Sequence, residues 1–254
     1  MNILFTICGR AGSKGIKNKN IKDFLGYPLP FYTVSVIDLY IKTSQDIKYN
    51  IVLNTDSDEL ISLFKEHLTT SVDIIKRDAS LAQDNTPKLA VITMCLETME
   101  KRTSQTYNMV VDLDITSPLR TVADLCALIN TKKSSNADVV FSVTESRRNP
   151  YFNMVKKTGD SYKQVIESEF NTRQETPEVF DMNASLYAYS PDFLRSRKRL
   201  FEGKTDIIKM YDTAVLDLDH ENDFELMEVI ARYLYDNFGE FNEVRKNIAN
   251  LLKR

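Results

Sequence analysis

The chain has 254 residues, 43% of them hydrophobic, and a formal net charge of −3. That is enough for one α/β domain with a sizeable core, and the near-neutral balance exerts no global pull toward nucleic acid. No apolar run reaches the ~18–20 residues of a membrane span, no basic-then-apolar leader follows Met1, and Cys8, Cys95 and Cys126 are few and scattered, so a soluble cytoplasmic protein is expected.

In chain order, Ile3–Ile7 reads as a buried strand and Pro28–Ile41 as a helix with Phe31, Val34, Ile37 and Ile41 on one face. Ile51–Asn54 is the next strand, and Thr55-Asp56-Ser57-Asp58 supplies the turn and cap for a short helix, Glu59–His67. Val72–Lys76 is a strand, Asn85-Thr86-Pro87 opens a helix to about Lys101, and Met109–Ile115, Val122–Thr131 and Val139–Val143 read as strand, helix and strand. Strands of continuous apolar character separated by helices predict an α/β fold, a doubly wound and mostly parallel sheet whose ligand crevice lies at the strands' carboxyl ends. From Thr144 to Phe180 the rhythm breaks, and alternation in Tyr151–Val155 and Tyr162–Ile166 predicts a small antiparallel excursion, a lid, an arm or a long hairpin. Ser185–Tyr189 and Ala214–Leu218 resume as strands, and Asn222–Asn237 closes the chain as an amphipathic helix, all within a single domain, 1–254.

His67 and His220 are the only histidines, which excludes mechanisms built on a histidine cluster. The chemistry must come from elsewhere. Gly9–Asn20, "GRAGSKGIKNKN", follows the first strand and holds three of the seven glycines and four basic residues. Glycines at Gly12 and Gly15 permit close backbone approach, and Arg10, Lys14 and Lys19 add charge suited to a polyphosphate. The spacing is neither a Walker loop nor a dinucleotide fingerprint, and the same composition fits a basic surface loop. Asp217 and Asp219 alternate on one face of an extended chain, as Asp112 and Asp114 do in "VVDLDITSPLR". Each pair would suit a hard cation such as Mg²⁺, or be two solvent-facing acids on a strand. "ITSPLR", Ile115 to Arg120, brings hydroxyls and a guanidinium to the ligand edge, or serves as a helix start. A basic glycine loop, paired carboxylates and no catalytic histidine point to phosphate chemistry run by charge and metal, with nucleotidyl transfer the best fit.

Taken together and in this order, the motifs resemble those of the acylneuraminate cytidylyltransferases, the CMP-sialic acid synthetases. That family's A-R-x-x-S-K-G-x-x-x-K-N signature matches Gly9 to Asn20 except for its leading alanine. Its L-R-P-x-x-L-A-x-D segment is similar to Ile75–Asp84, with Arg77 and Asp84 aligned, and its T-S-P-L-R is Thr116 to Arg120. R-Q-x-x-P and N-G-A-I-Y correspond to Arg173-Gln174…Pro177 and Asn183–Tyr187, and D-I-D to Asp217–Asp219. The resemblance implies a Rossmann-like nucleotidyltransferase fold and attack by the anomeric hydroxyl of a nine-carbon acidic sugar on CTP. It implies that Arg10, Gly12, Ser13, Lys14 and Lys19 hold the triphosphate, with Arg10, Lys14, Lys19 and Asp219 catalytic. Asn20 and Arg77 would bind the cytidine, and Asp217 and Asp219 would hold Mg²⁺. Asp114, Thr116, Ser117, Arg173, Gln174, Asn183 and Tyr187 would face the sugar, and 144–180 would be a dimerisation arm of a homodimer. Neither nucleic acid nor membrane is an expected partner.

The departures from the family pattern gather in the sugar pocket. Asp114-Ile115 stands where Gln-Pro is common, Asn183-Ala184 replaces Asn-Gly, Asp181 replaces a basic residue, and "RRNPYFNMV" stands where a sugar-binding lysine is expected. They favour a related acid such as legionaminic acid over sialic acid itself. Asp112 and Asp114 as a second metal pair, a CMP-Kdo-type or other sugar nucleotidyltransferase, and a non-catalytic nucleotide-binding relative remain as rival readings.

Overall fold

The computed structural model describes residues 1–12, 15–44, 46–81, 83, 86–212, 218 and 220–253. The chain enters with strand β1 (Asn2–Cys8), makes a small ribbon of β2 (Asp23–Phe24) and β3 (Tyr27–Pro28), and continues as helix α1 (Leu29–Thr43). Next come β4 (Lys48–Thr55), α2 (Asp58–His67), β5 (Asp73–Lys76), α3 (Lys88–Thr103) and β6 (Met109–Leu113). Helix α4 (Val122–Ser134) leads to β7 (Val139–Glu145), and a hairpin of β8 (Val155–Thr158) and β9 (Ser161–Gln164) intervenes before β10 (Phe180–Tyr189). A short helix α5 (Pro191–Arg195), β11 (Thr205–Lys209), α6 (Glu221–Asn237) and α7 (Gly239–Leu251) complete the path.

Seven strands form the main sheet in the order β11-β7-β10-β6-β1-β4-β5, and β10 alone runs antiparallel to its neighbours. On β1, alternation sends Ile3, Phe5 and Ile7 to a core shared with α1, α2, α4, α6 and α7. Leu4 goes the other way, to a smaller core under α3 and α5 that includes Cys95, Leu96, Met99 and Phe193. Both faces are covered, which is why the strands read as apolar throughout. The chain passes from β1 to β4 and β5 on one side and then crosses to β6 on the other. The sheet's switch point therefore lies between β1 and β6, where a doubly wound sheet opens its ligand crevice.

Local signals explain the boundaries. Ser57 caps α2 by accepting from the Leu60 N–H, and Thr121 and Asp124 close a reciprocal capping box on α4. The excursion after Thr144 is present, but Tyr151–Asn153 turns about the buried Asn149 and the strand begins only at Val155. Gly159, at φ +60°, makes the turn between β8 and β9. Neither β11 nor α7 is anticipated by the sequence reading. α7 explains why α1 is buried on more than its predicted face: Ser35 Oγ donates to the Val244 carbonyl, and Asn247 Nδ2 to Asp38. The strand expected at Ala214–Leu218 lies outside the described residues except for Leu218. No helix among the described residues is long and apolar enough to cross a membrane.

One backbone feature bears on stability. The β10–β7 register shifts between Met182 and Tyr187, and the exposed Ala184 sits inside that bulge at φ 52°. A left-handed alanine costs roughly 1–2 kcal/mol, of which the greater chain freedom of glycine would return about half. Ala184→Gly is expected to stabilise the protein by about 1 kcal/mol, visible as a melting midpoint higher by ~2–4 °C. An unchanged or lower midpoint would show that the bulge does not strain this residue.

Candidate active site

A cavity of about 420 Å³ opens at the carboxyl ends of β1, β5 and β6. It gathers Arg10, Lys19 and Asn20 from the first loop, Arg77 from beyond β5, and Asp114 and Thr116 from beyond β6. Six residues singled out on sequence grounds, spread over more than a hundred positions, thus line one cavity.

The loop is held from three directions. Ala11 N–H donates to Asp56 Oδ1 at 2.8 Å, Asn20 Nδ2 to the Arg10 carbonyl at 2.9 Å, and Gly9 N–H to the Asn54 carbonyl at 3.1 Å. Gly12, at φ +72°, occupies the left-handed region its residue type permits. Asn54 also accepts from Arg77 Nε at 2.6 Å through its Oδ1, so this buried amide ties the loop's start to the orientation of Arg77. Lys19 Nζ donates to the Leu218 carbonyl at 2.6 Å, across 199 positions. The residue between Asp217 and Asp219 is thereby fastened to the basic loop, although those two acids, Ser13, Lys14 and Asp84 lie outside the described residues.

The acids at the end of β6, Asp112 within the strand and Asp114 just past it, are organised by a residue the sequence reading passes over. Lys88, the first residue of α3, places its ammonium 2.8 Å from Asp112 Oδ2 and 2.8 Å from Asp114 Oδ2. Asp112 is completely buried and also accepts from Thr6 Oγ1 at 2.7 Å, while Asp114 Oδ1 accepts from both the N–H and the hydroxyl of Thr116. Burial alone would raise the Asp114 carboxyl, but Lys88 beside it and the two Thr116 donors hold it well below the usual carboxylate range. For Lys88 burial works against the charge, and the two acids outweigh it, pushing the ammonium well above its usual range. The charge between Asp112 and Asp114 is therefore supplied by a lysine. A signal was available: a cation at the first turn of a helix opposes the macrodipole and calls for acids opposite it.

Other expected site residues stand elsewhere. Arg173 and Gln174 lie in a short turn, Arg173–Glu175, and Arg173 Nη2 donates to the Ser146 carbonyl in a separate hollow of about 250 Å³. Ser117 and Asn183 are buried side chains, bonded through Ser117 Oγ to Ser185 Oγ and from Ser142 Oγ to Asn183 Oδ1. Tyr187 lies under the acidic end of the cavity, with Lys88 Nζ 5.8 Å from its ring centroid and Tyr189 stacked on it. Arg120, expected at the ligand edge, points inward: fully buried, it donates to the Ser117, Ser185 and Asp114 carbonyls and to Thr33 Oγ1. Cys8 also reaches the cavity, where a hydrogen bond with Cys95 and burial push its thiol up, leaving a neutral group rather than a nucleophile.

The fold and these groups agree with the comparisons to known proteins. A cytidylyltransferase family model matches residues 4–239. The chain belongs to the cytidylyltransferase family. It is 33% identical over 228 residues to a CMP-N,N'-diacetyllegionaminic acid synthase of Campylobacter jejuni, covering 90% of this chain and 94% of that one. It is 25% identical over 238 residues to an N-acylneuraminate cytidylyltransferase of Streptococcus agalactiae, covering 93% of this chain and 54% of that protein. Its fold superposes on CMP:2-keto-3-deoxy-manno-octonic acid synthetase complexed with CTP with a TM-score of 0.61 at 12% identity, over 92% of this chain and 99% of that one. As a cytidylyltransferase the chain carries its own variation at the loop. A Cβ on Gly9 would stand 2.7 Å from Ile115 Cδ1, so the glycine that replaces the signature alanine faces the isoleucine that replaces the common proline.

The pH dependence of stability follows from the depressed Asp114. A carboxyl whose folded value lies below its unfolded value of ~3.9 contributes stability that is complete above that pH and lost as pH falls through the folded value. Wild-type stability is therefore expected to drop from about pH 5 downward, and Asp114→Asn to flatten that limb while costing roughly 1–3 kcal/mol at neutral pH. Urea melts at pH 3 to 7 read both effects; parallel acid limbs would remove Asp114 from the account.

Proposed function

We propose that this cytidylyltransferase activates a nine-carbon acidic sugar of the legionaminic type with CTP, giving the CMP-sugar and pyrophosphate. The observation carrying this reading is the single cavity in which Arg10, Lys19, Asn20 and Arg77 face Asp114 and Thr116. In this reading the sugar's anomeric oxygen forms a bond to the α-phosphorus as the bond to the β-phosphate's bridging oxygen breaks. Arg10, Lys14 and Lys19 take up the charge that accumulates on the departing pyrophosphate, with Gly12 and Ser13 assigned to the same triphosphate grip. Asn20 and Arg77 hold the cytidine. The greater identity to the diacetyllegionaminic acid synthase than to the N-acylneuraminate enzyme supports the choice of sugar.

Asp217 and Asp219 would hold a divalent cation, taken as Mg²⁺. Two carboxylates form an oxygen donor set that suits a hard ion, and the Lys19 bond to Leu218 fastens the residue between them to the loop that would grip the triphosphate. Bound there, the ion would offset phosphate charge in the transition state. Among the described residues no other group of three acids, histidines or cysteines offers a metal site.

The arm between Thr144 and Phe180 would pair two subunits and carry Arg173, Gln174 and their neighbours toward the adjoining subunit's cavity, where a guanidinium can grip the sugar carboxylate. Val155 and Tyr162, 65% and 67% exposed, and the partly exposed Phe152, Met154 and Ile166 give the arm an apolar surface of the kind that marks protein contact.

Pyrophosphate release tests the reading, with CTP and GTP crossed against N,N'-diacetyllegionaminate and N-acetylneuraminate. CTP with the diacetylated sugar is expected to turn over fastest, Lys14→Ala and Asp219→Asn to lose about 10²–10³-fold in kcat, and a chelator to stop the reaction. Preference for N-acetylneuraminate would overturn the choice of sugar, and undiminished rates in both variants would overturn the assigned roles.

A further inference from the structure

The cluster around Lys88 has a charge and a geometry that the reaction can use. One ammonium sits between two carboxylates, so the group carries a net charge of −1 in the cavity that Arg10, Lys19 and Arg77 also line. Asp112 accepts from Thr6 through Oδ1 and is ion-paired with Lys88 through Oδ2, and Asp114 accepts from Thr116 and from Lys88. An ammonium has three N–H donors; among the described residues this one donates to Asp114 Oδ2 and pairs in charge with Asp112. The Lys88 side chain is 36% exposed and lines the cavity.

We infer that Lys88 is a specificity-determining residue for the sugar, donating its remaining N–H to an uncharged oxygen of that substrate, an acyl carbonyl or a hydroxyl. The inference rests on the proposed function above. The net negative charge decides which part of the sugar belongs here. A sugar carboxylate or a phosphate brought to this cluster meets two acids for one cation, whereas a neutral acceptor meets a donor fixed in direction by its two anchors. The sugar is thus oriented with its carboxylate away from β6 and its neutral substituents toward Lys88 and Asp114. Discrimination follows from the same arrangement: an analogue without the oxygen leaves a partly buried ammonium donor unanswered.

Lys88→Met alone would leave Asp112 buried and unpaired, so the informative variant is Asp112→Asn/Lys88→Met. It keeps the net charge of the cluster at −1 while removing the donor together with the Asp112 charge that it would leave unpaired, and Lys88→Arg serves as a charge-conserving companion. Steady-state kinetics with varied sugar and calorimetric CTP binding read the two sites separately. The double variant is expected to raise the sugar KM roughly 10- to 100-fold, the size of one hydrogen bond to a charged group, with the CTP Kd changed by less than about twofold. Lys88→Arg is expected to recover part of the loss. Sugars bearing a free amine in place of the acetamido group, and deoxy sugars, tell carbonyl from hydroxyl: the analogue lacking the recognised oxygen should discriminate least between wild type and variant. A sugar KM within twofold of wild type in the double variant overturns the inference alone. Absence of turnover by the wild-type enzyme with every nonulosonic acid overturns the functional reading and the inference with it.

Discussion

A carboxylate on the inner face of a sheet must be answered by a cation, and this protein answers Asp112 with Lys88. The consequence spreads outward. The ammonium has to reach the carboxyl end of β6 from α3, which fixes where that helix begins and keeps its first turn over the cavity. Once there it also takes Asp114, whose remaining oxygen is closed by Thr116, so the turn after β6 is set by the same charge. Arg120 supports that turn from beneath, its guanidinium pushed down to about 10 by burial yet sustained by the surrounding acids. A buried guanidinium, a partly buried ammonium and two acids thus hold one wall of the site, an arrangement in which the loss of one partner leaves the others short of a counter-charge.

The other wall is held by Asn54 and Asp56, each a short-range anchor for the loop. Asn54 takes the Gly9 N–H through its backbone carbonyl and Arg77 through its side chain, and Asp56 takes Ala11. These bonds fix a loop whose glycines lack the helix of a Walker motif to aim their N–H groups. Among the described residues, the cavity's cations stand beyond β1 and β5, and the Lys88 cluster with its net negative charge stands at the end of β6.

Much of this was legible in the sequence. The two-sided apolar strands gave away the doubly wound sheet, and the basic glycine loop and the Thr-Ser-Pro-Leu-Arg turn were found where the crevice opens. What escaped had physical reasons. β11 is a five-residue edge strand of mixed polarity, too brief for its period to stand out, and α7 lies beyond Asn237, where the closing helix is expected to end. Lys88 escaped because a lone lysine after Thr-Pro resembles a solvated surface charge, and only the fold reveals that it faces two acids from another element. Tyr187 and Arg173 could be named from their motifs, but no local pattern says that one lies beneath the cavity and the other in a separate hollow.

The sites where this chain departs from its family's signature touch one another, and that bears on how the departures arose. Gly9 leaves room for the Ile115 methyl, since alanine at 9 would crowd isoleucine at 115. Asp114 places a charge where the common residue is neutral, and Lys88 makes that charge tolerable. Ala184, by contrast, has no compensating partner in the bulge and keeps its left-handed backbone at a cost. Compensated changes at 9, 115 and 114 beside an uncompensated one at 184 separate two kinds of variation. The first kind reshapes one wall of the cavity while preserving packing and charge balance. The second is borne by an exposed bulge, where strain of about 1 kcal/mol is small against the stability of a sheet covered on both faces.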